Sequence, residues 1–188
     1  MIITGDDTVG IFSLKQFLSH QFEIKDLGLL SYFLGLKISH DPYGYFLTQA
    51  KYISDLLTCV GLTDCKIVTT LVDPQTRLTP LDGHLLSDAT LYRQLVGGLV
   101  YLTVTHPDVA YAVHIVSQFM SPHYDALVRN SHYLKGTIFH GLHYSTHSSL
   151  QLHAFSDADW AGDPTGCCST TGFYFFLGDS LIAWCSKK

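Results

Sequence analysis

The chain has 188 residues, of which 47% are apolar and only 14% are charged, and its net charge is −5. Such a composition excludes wholesale disorder and suits one domain or two small ones with a sizeable core. An acidic balance also counts against a self-sufficient nucleic-acid binder, because phosphate contacts supply most of the affinity of such proteins.

Cysteine usage and hydropathy limit the cellular setting. The five cysteines are odd in number and form no Cys-x-x-Cys pair, so we expect neither a disulfide framework nor a zinc knuckle. The apolar segments are short and interrupted, and no signal peptide is recognisable. We therefore expect an intracellular protein, cytoplasmic or nuclear, that does not contact a membrane.

The first part of the chain predicts strands mixed with helices. Residues 1–4 are apolar and β-branched, which favours a strand. A helical stripe then runs to a stop at Gly28 and comprises Ile11, Leu14, Phe17, Leu18 and Phe22. Residues 32–39 and 45–48 predict paired strands around the turn Asp41-Pro-Tyr-Gly44. A second helical stripe, closed by Gly61, comprises Ile53, Leu56, Leu57 and Val60.

The later part predicts a helical segment followed by strands. Residues 63–88 are rich in Thr, Asp and Pro and lack periodicity, which favours a connector. Three helices follow: one capped by Ser87 or Asp88, one begun by Pro107 and extending to Met120, and one over residues 124–135. The last strands are predicted over 150–156, 172–177 and 181–186, with Gly178-Asp179 as a hairpin turn.

An ordered set of short phrases resembles the reverse transcriptase of copia-type retrotransposons, and together they span nearly the whole chain. They are Lys25-Asp-Leu-Gly28, Tyr32-Phe-Leu-Gly35, Gln49-Ala-Lys-Tyr52, Tyr92-Arg-Gln-Leu-Val-Gly97, Tyr101-Leu-Thr103, Pro107-Asp108, Tyr111-Ala-Val113, Lys135-Gly136, Ser156-Asp-Ala-Asp-Trp-Ala-Gly162 and Ser169-Thr-Thr-Gly172. Any one of them is a weak signal, whereas the ordered set is specific.

The resemblance implies an α+β fold in four parts. These are a partial reverse-transcriptase palm with the start of the thumb over 1–62, a connector over 63–88, a helical thumb and connection segment over 89–145, and a truncated RNase H-like domain over 146–188. It also implies that the parent family binds a template-primer or an RNA–DNA hybrid and uses Mg²⁺.

Phosphoryl transfer of this kind needs two divalent metals held by several carboxylates. By resemblance, the polymerase Asp-Asp lies upstream of Met1, and the later RNase H carboxylates lie after Lys188. Asp157 matches the family's first RNase H metal ligand, and strand alternation places Asp159 on the same side. We interpret Asp157 as a vestigial catalytic and metal-binding carboxylate, and we expect no Mg²⁺ to bind to this chain alone.

Other clusters have simpler interpretations. Gly5-Asp6-Asp7 is similar to a polymerase signature, but it follows only four residues, so a turn and helix cap is favoured. The four histidines at 140, 143, 147 and 153 match no zinc spacing and predict loop and strand positions. Gly97-Gly98 falls within a helix and indicates close packing.

Three departures from the family pattern suggest a decayed reading frame. By resemblance, arginine is usual at His106 and common at His132, and Arg-Arg is frequent at Cys167-Cys168. Loss of these guanidinium groups removes forks that bind phosphate. We hypothesise a relic open reading frame in which Met1 is an internal methionine.

Three functions compete for the chain. The first is a non-catalytic remnant of a reverse transcriptase and RNase H polyprotein, and we favour it. The second is a segment of a longer active enzyme, and the third is a retained module that binds nucleic acid or another protein. For the chain alone we expect weak or no binding to a hybrid duplex. We also expect self-association through exposed apolar surface and unpaired sheet edges.

Overall fold

The computed structural model describes residues 1–71, 89–118, 124–162 and 166–188. These residues form five α-helices, one 3₁₀ turn at Pro107–Val109 and seven strands, which is an α+β architecture. The helices are α1 (Thr8–Gln21), α2 (Ala50–Cys59), α3 (Ala89–Leu102), α4 (Ala110–Ser117) and α5 (Tyr124–Gly136). The strands are β1 (Tyr32–Phe33), β2 (Leu36–Asp41), β3 (Gly44–Thr48), β4 (Leu142–Ser145), β5 (Leu152–Ala158), β6 (Thr171–Leu177) and β7 (Ser180–Lys187).

The hydrophobic core lies among helices α2 to α5. Apolar residues at helical spacing place one face of each helix inward. The buried side chains are Ile53, Leu57, Tyr92, Leu95, Leu99, Leu102, Val109, Val113, Val116, Leu127 and Leu134. The Tyr92 hydroxyl is buried with its ring and donates a hydrogen bond of 2.8 Å to the Val116 carbonyl, which links α3 to α4.

The first sheet is antiparallel in the order β1-β2-β3-β4. Asp41 shapes its central hairpin, because its Oδ1 accepts hydrogen bonds from the N–H groups of Tyr43 and Gly44 at 2.8 and 2.9 Å. Strand β4 follows α5 in the chain and pairs with β3, with Leu142 opposite Leu47. The sheet therefore joins residues that the sequence assigns to separate parts of the chain.

The second sheet is antiparallel in the order β5-β6-β7. Its inner strand pairs Asp157 with Gly172 on one side, and Gly172 with Ser186 on the other. An irregularity between Phe175 and Phe176 interrupts the β6–β7 register. The indole N–H of Trp184 on β7 donates to the Thr103 carbonyl at 2.8 Å, which ties this sheet to the end of α3.

Four predicted features differ from the structure. Residues 1–4 are not a strand, because an extended segment becomes a strand only when another strand pairs with it, and among the described residues none does. Helix α1 ends at Gln21 rather than near Gly28, since Phe22 is already extended. The strand predicted over 32–39 is two strands, because Leu34 and Gly35 both have positive φ and form a tight turn. Strand β4 was not predicted at all.

The remaining elements agree with the predictions within a few residues. Helix α2 ends one residue before Val60, with Gly61 in the left-handed region at φ 68°. Gly178, at φ 56°, turns the chain between Leu177 and Ser180 as expected. The predicted cap at Ser87 or Asp88, the end at Met120 and most of the connector lie outside the described residues. Within the described part of the chain, no helix is long and apolar enough to cross a membrane.

Candidate functional site: an acidic groove beside strand β5

A groove of about 460 Å³ lies between the second sheet and the 3₁₀ turn. The sheet contributes side chains of β5, β6 and β7, and the opposite wall comes from the start of α4. Its lining includes three carboxylates, those of Asp108, Asp157 and Asp159, and among the described residues no Lys or Arg lines it. This concentration of negative charge disfavours a phosphate backbone in the groove unless cations intervene.

Asp157 lies near the end of β5 and is the predicted metal ligand. It pairs with Gly172 of β6 and is solvent-exposed. In the described part of the chain no hydrogen bond or ion pair engages its carboxylate. Asp157 is therefore a free strand-end carboxylate that points to one side of the sheet together with Phe155.

Asp159 lines the same groove, but its carboxylate already has partners. Oδ1 accepts hydrogen bonds from the backbone N–H groups of Thr170 at 2.9 Å and Gly162 at 3.2 Å. The Asp159 N–H in turn donates to the Thr170 carbonyl at 3.1 Å. Asp159 thus holds together the loop that follows β5, and this use of its oxygen competes with metal coordination.

Asp108 was not predicted as part of this site. Its Oδ2 accepts a hydrogen bond of 2.6 Å from the Tyr133 hydroxyl. Burial, and then this bond to the carboxylate, raise the pKa of Tyr133 to about 12. The hydroxyl therefore remains protonated at neutral pH and keeps its bond to Asp108.

His106 lies behind Asp108 and is almost fully buried, with 1% of its surface exposed. Its Nδ1 is 3.8 Å from Asp108 Oδ1, which is too long for a hydrogen bond. Neither ring nitrogen has a hydrogen-bond partner in the described part of the molecule. Burial lowers the pKa of His106, while Asp108 opposes that shift and His140 adds to it.

The residues of the groove do not fit a two-magnesium centre. Magnesium requires near-octahedral oxygen coordination, and a pair of such ions needs several converging carboxylates. Asp159 is bonded to backbone N–H groups and Asp108 to Tyr133, which leaves Asp157 with an uncommitted carboxylate. Across residues 1–71, 89–118, 124–162 and 166–188, no group of three His, Cys, Asp or Glu side chains could hold a metal ion.

The Gly5-Asp6-Asp7 turn and the four histidines at 140, 143, 147 and 153 do not line this groove. Asp7 caps α1, because its side chain accepts a hydrogen bond of 2.9 Å from the Gly10 N–H, and Asp6 precedes it in an exposed turn. His143 lies on β4 opposite Phe46, and His153 lies on β5 opposite Phe176. The helix-cap interpretation of Asp7 is therefore confirmed.

Comparisons with known proteins identify the family. Residues 1–74 match the model of the family described as reverse transcriptase (RNA-dependent DNA polymerase). The whole chain is 43% identical to the retrovirus-related Pol polyprotein from transposon RE1 of Arabidopsis thaliana, and 42% identical to that from transposon RE2 of the same plant. The chain belongs to the copia-type retrotransposon reverse transcriptases.

The extent of these matches differs between relatives. The chain covers 13% of the RE1 polyprotein and 13% of the RE2 polyprotein. By contrast, it covers 80% of an uncharacterised mitochondrial protein of Arabidopsis thaliana, at 41% identity. No solved structure matches the chain.

Two of the phrases that resemble the family contain residues with structural roles in the chain. Gln49 is buried, and its Oε1 accepts a hydrogen bond of 2.7 Å from the Thr105 hydroxyl. Tyr92 donates a hydrogen bond to the Val116 carbonyl. These residues stabilise the fold, so a chain can match the family at these positions whether or not it has the catalytic residues.

Proposed function

We propose that this chain corresponds to the part of a copia-type polyprotein that runs from the reverse transcriptase into RNase H, and that by itself it catalyses neither reaction. The order of elements supports the assignment, since a helical segment precedes three antiparallel strands with Asp157 near the end of the first. The proposal of inactivity rests on one observation: the carboxylates beside Asp157 are committed to other partners. Asp159 serves the loop backbone, and Asp108 serves Tyr133.

The charge of the groove supports a second part of the proposal, namely that the chain alone binds a hybrid duplex weakly or not at all. A hybrid duplex would bring two strands of phosphates towards a groove lined by three carboxylates. The chain as a whole also has a net charge of −5. Among the described residues no Lys or Arg lines the groove to displace counterions from the phosphates, so the usual gain from counterion release is not available there.

One observation favours the alternative, a segment of a longer active enzyme. The chain covers only 13% of the RE1 and RE2 polyproteins. In that case Asp157 would act together with carboxylates supplied by other parts of the polyprotein. Under this alternative Asp157 lies in the same groove, and the difference is that carboxylates from other parts of the polyprotein surround it.

The test is a pair of assays on the purified 188-residue chain with Mg²⁺ and, separately, Mn²⁺. One assay measures extension of a DNA primer on an RNA template, and the other measures cleavage of the RNA strand of a hybrid duplex. We expect no turnover above that of the buffer in either assay. The matched control is Asp157→Asn, which removes the free carboxylate and keeps the size of the side chain.

A contaminating nuclease and a working site give different patterns. Cleavage that persists in Asp157→Asn comes from a contaminant and leaves the proposal standing. Metal-dependent cleavage that Asp157→Asn abolishes, or metal-dependent primer extension above that of the buffer in either protein, would show a working site in this chain, and the proposal of inactivity would be wrong.

A further inference from the structure

The acidic groove beside β5 carries negative charge that the described residues do not balance. Asp159 accepts hydrogen bonds from backbone N–H groups, and Asp108 accepts one from the neutral Tyr133 hydroxyl. Within the described part of the chain, no lysine or arginine forms an ion pair with either of them or with Asp157. Carboxylates in one groove repel each other, so a bound cation lowers the free energy of this site.

The two lysines that follow Ser186 leave this charge in place. Ser186 lines the groove, so alternation along β7 directs Lys187 to the opposite face of the sheet. Lys188 lies next to the end of α4, where its Nζ donates to Gln118 Oε1 at 3.2 Å. The groove is therefore complementary in charge to a cationic ligand.

Aromatic rings line both walls of the same groove. Phe155 and Tyr174 are register partners on β5 and β6, so their side chains lie on one face of the sheet. Tyr111 lies on α4, in the opposite wall, three residues after Asp108. The rings of Phe155, Tyr111 and Tyr174 are 61%, 51% and 40% exposed, so a ligand can contact them. The face of an aromatic ring attracts a cation.

Gly172 leaves the floor of the groove open beside Asp157. It is the register partner of Asp157 on one side and of Ser186 on the other, and both of those residues line the groove. A side chain at position 172 would therefore point into the groove. The nearest atom to a Cβ built there is the Cys185 carbonyl oxygen, at 3.8 Å. A ligand group can occupy this space and reach the Asp157 carboxylate.

This combination of carboxylates and aromatic rings suits a guanidinium group. We infer that the groove binds arginine side chains from a peptide segment of another protein. A guanidinium is planar, forms paired hydrogen bonds with a carboxylate and stacks on aromatic rings, whereas a lysine ammonium is a compact and strongly hydrated charge. The volume of about 460 Å³ lies within the range of about 300–1,000 Å³ that is typical of ligand sites.

The remaining acceptor oxygens indicate more than one arginine. Asp159 uses Oδ1 for the loop and Asp108 uses Oδ2 for Tyr133, so each has a second oxygen that accepts no hydrogen bond from the described residues. Together with Asp157, these oxygens exceed what one guanidinium can contact. A peptide with two arginines therefore fits the groove better than free arginine. This binding requires no turnover, so it is independent of the proposal of inactivity.

The first test measures binding of the peptide acetyl-Gly-Arg-Gly-Arg-Gly-amide to the 188-residue chain. The peptide carries an uncharged fluorophore, and fluorescence anisotropy is recorded at low ionic strength. We expect saturable binding, at least about threefold weaker binding when lysine replaces both arginines, and none when citrulline replaces them. Absence of saturable binding, or equal affinity for the arginine and lysine peptides, would overturn the inference.

The second test removes the uncommitted carboxylate. Asp157→Asn should weaken binding of the arginine peptide by about tenfold, because a charge-assisted hydrogen bond is lost. Asp179→Asn is the matched control, since Asp179 is exposed in the β6–β7 turn and does not line the groove. An equal loss in both variants would mean that the peptide is attracted by the overall negative charge, and the site would be wrong.

The third test fills the groove without changing its charge. Gly172→Val places a side chain on the floor, and we expect it to weaken binding by at least about tenfold. Thr171→Val is the matched control, because alternation directs position 171 to the opposite face of the sheet. Circular dichroism checks that both variants are folded. Unchanged binding by a folded Gly172→Val would place the peptide elsewhere and contradict the inference.

The fourth test concerns the aromatic wall and does not alter the floor. Phe155→Leu keeps an apolar side chain and removes the ring, so binding should weaken by about threefold. Tyr43→Leu is the control, because Tyr43 is an exposed aromatic residue in the β2–β3 turn, outside the groove. If both variants bind as tightly as the unmodified chain, the aromatic contacts of the inferred site do not exist.

Discussion

Gln49 and His106 are both about 1% exposed, yet their side-chain polar atoms differ in hydrogen bonding. Gln49 accepts from the Thr105 hydroxyl at 2.7 Å and donates to the Tyr101 carbonyl at 3.5 Å. The two ring nitrogens of His106 have no such partner in the described residues. A buried polar group without a hydrogen bond costs free energy, so His106 is a weak point of the fold.

The burial of His106 predicts that stability falls in mild acid. Burial lowers its pKa below the ordinary value of 6.5, so between the two pKa values the unfolded state binds a proton that the folded state does not. The free energy of unfolding should therefore fall as the pH drops from about 7 to about 5. His106→Gln should flatten this dependence in urea unfolding, and His147→Gln, at an exposed position, should leave it unchanged. An equal slope in all three proteins would contradict the prediction.

At the scale of elements, helix α3 contains two adjacent glycines in different surroundings. Gly98 is buried, and a Cβ added there would lie 2.9 Å from Leu56 Cδ1 and 3.4 Å from the Tyr52 hydroxyl. Gly97 is exposed, and an added Cβ would meet nothing within 4 Å. Close packing thus explains one glycine of the pair and leaves the other without a packing role.

The pair predicts opposite results for the same substitution. Gly97→Ala should stabilise the chain by up to about 1 kcal/mol, because alanine is the better helix former and nothing obstructs its methyl group. Gly98→Ala gains the same helix propensity but must displace Leu56, so its net effect should be smaller or destabilising. Urea unfolding of both variants measures the difference. The prediction is wrong if Gly98→Ala is the more stable of the two.

At the scale of the whole molecule, the second sheet is held to the helical segment at few polar points. Among the described residues, the Trp184 indole bond to the Thr103 carbonyl joins β7 to the end of α3, and a bond of 3.2 Å from Lys188 Nζ to Gln118 Oε1 joins the residue after β7 to the end of α4. A further bond of 3.3 Å from the Ser145 N–H to the Ser180 hydroxyl joins β7 to β4 of the first sheet. These contacts fix the wall of the acidic groove relative to the sheet.

Trp184→Phe should therefore destabilise the chain by about 1 kcal/mol, since the Thr103 carbonyl loses its donor. Trp160→Phe is the matched control, because Trp160 is 96% exposed and its replacement should change stability by less than about 0.5 kcal/mol. Circular dichroism during urea unfolding compares the two. Equal effects of both substitutions would mean that the indole bond contributes nothing.

The sequence indicated more of the fold than of the groove. The stripes of α2 to α5 are long and periodic, so the helices were predictable from local pattern. Strand β4 has only four residues, two of them His143 and Tyr144, and it forms because β3 pairs with it. The role predicted for Asp157 comes from a motif and stays a prediction, whereas the bonds that commit Asp159 and Asp108 depend on Thr170 and Tyr133, whose positions are set by tertiary packing.

Strand β4 is synthesised long after its partner β3, and this delay has a consequence during protein synthesis. The Thr48 hydroxyl at the end of β3 bonds to the His140 carbonyl, 92 positions further along the chain. At ribosomal rates of about 5–20 residues per second, the edge of β3 waits roughly 5–20 s for its partner to be made. During that interval the nascent hairpin is open to chaperones and to neighbouring chains, and a frameshift anywhere between the two strands would leave it so permanently.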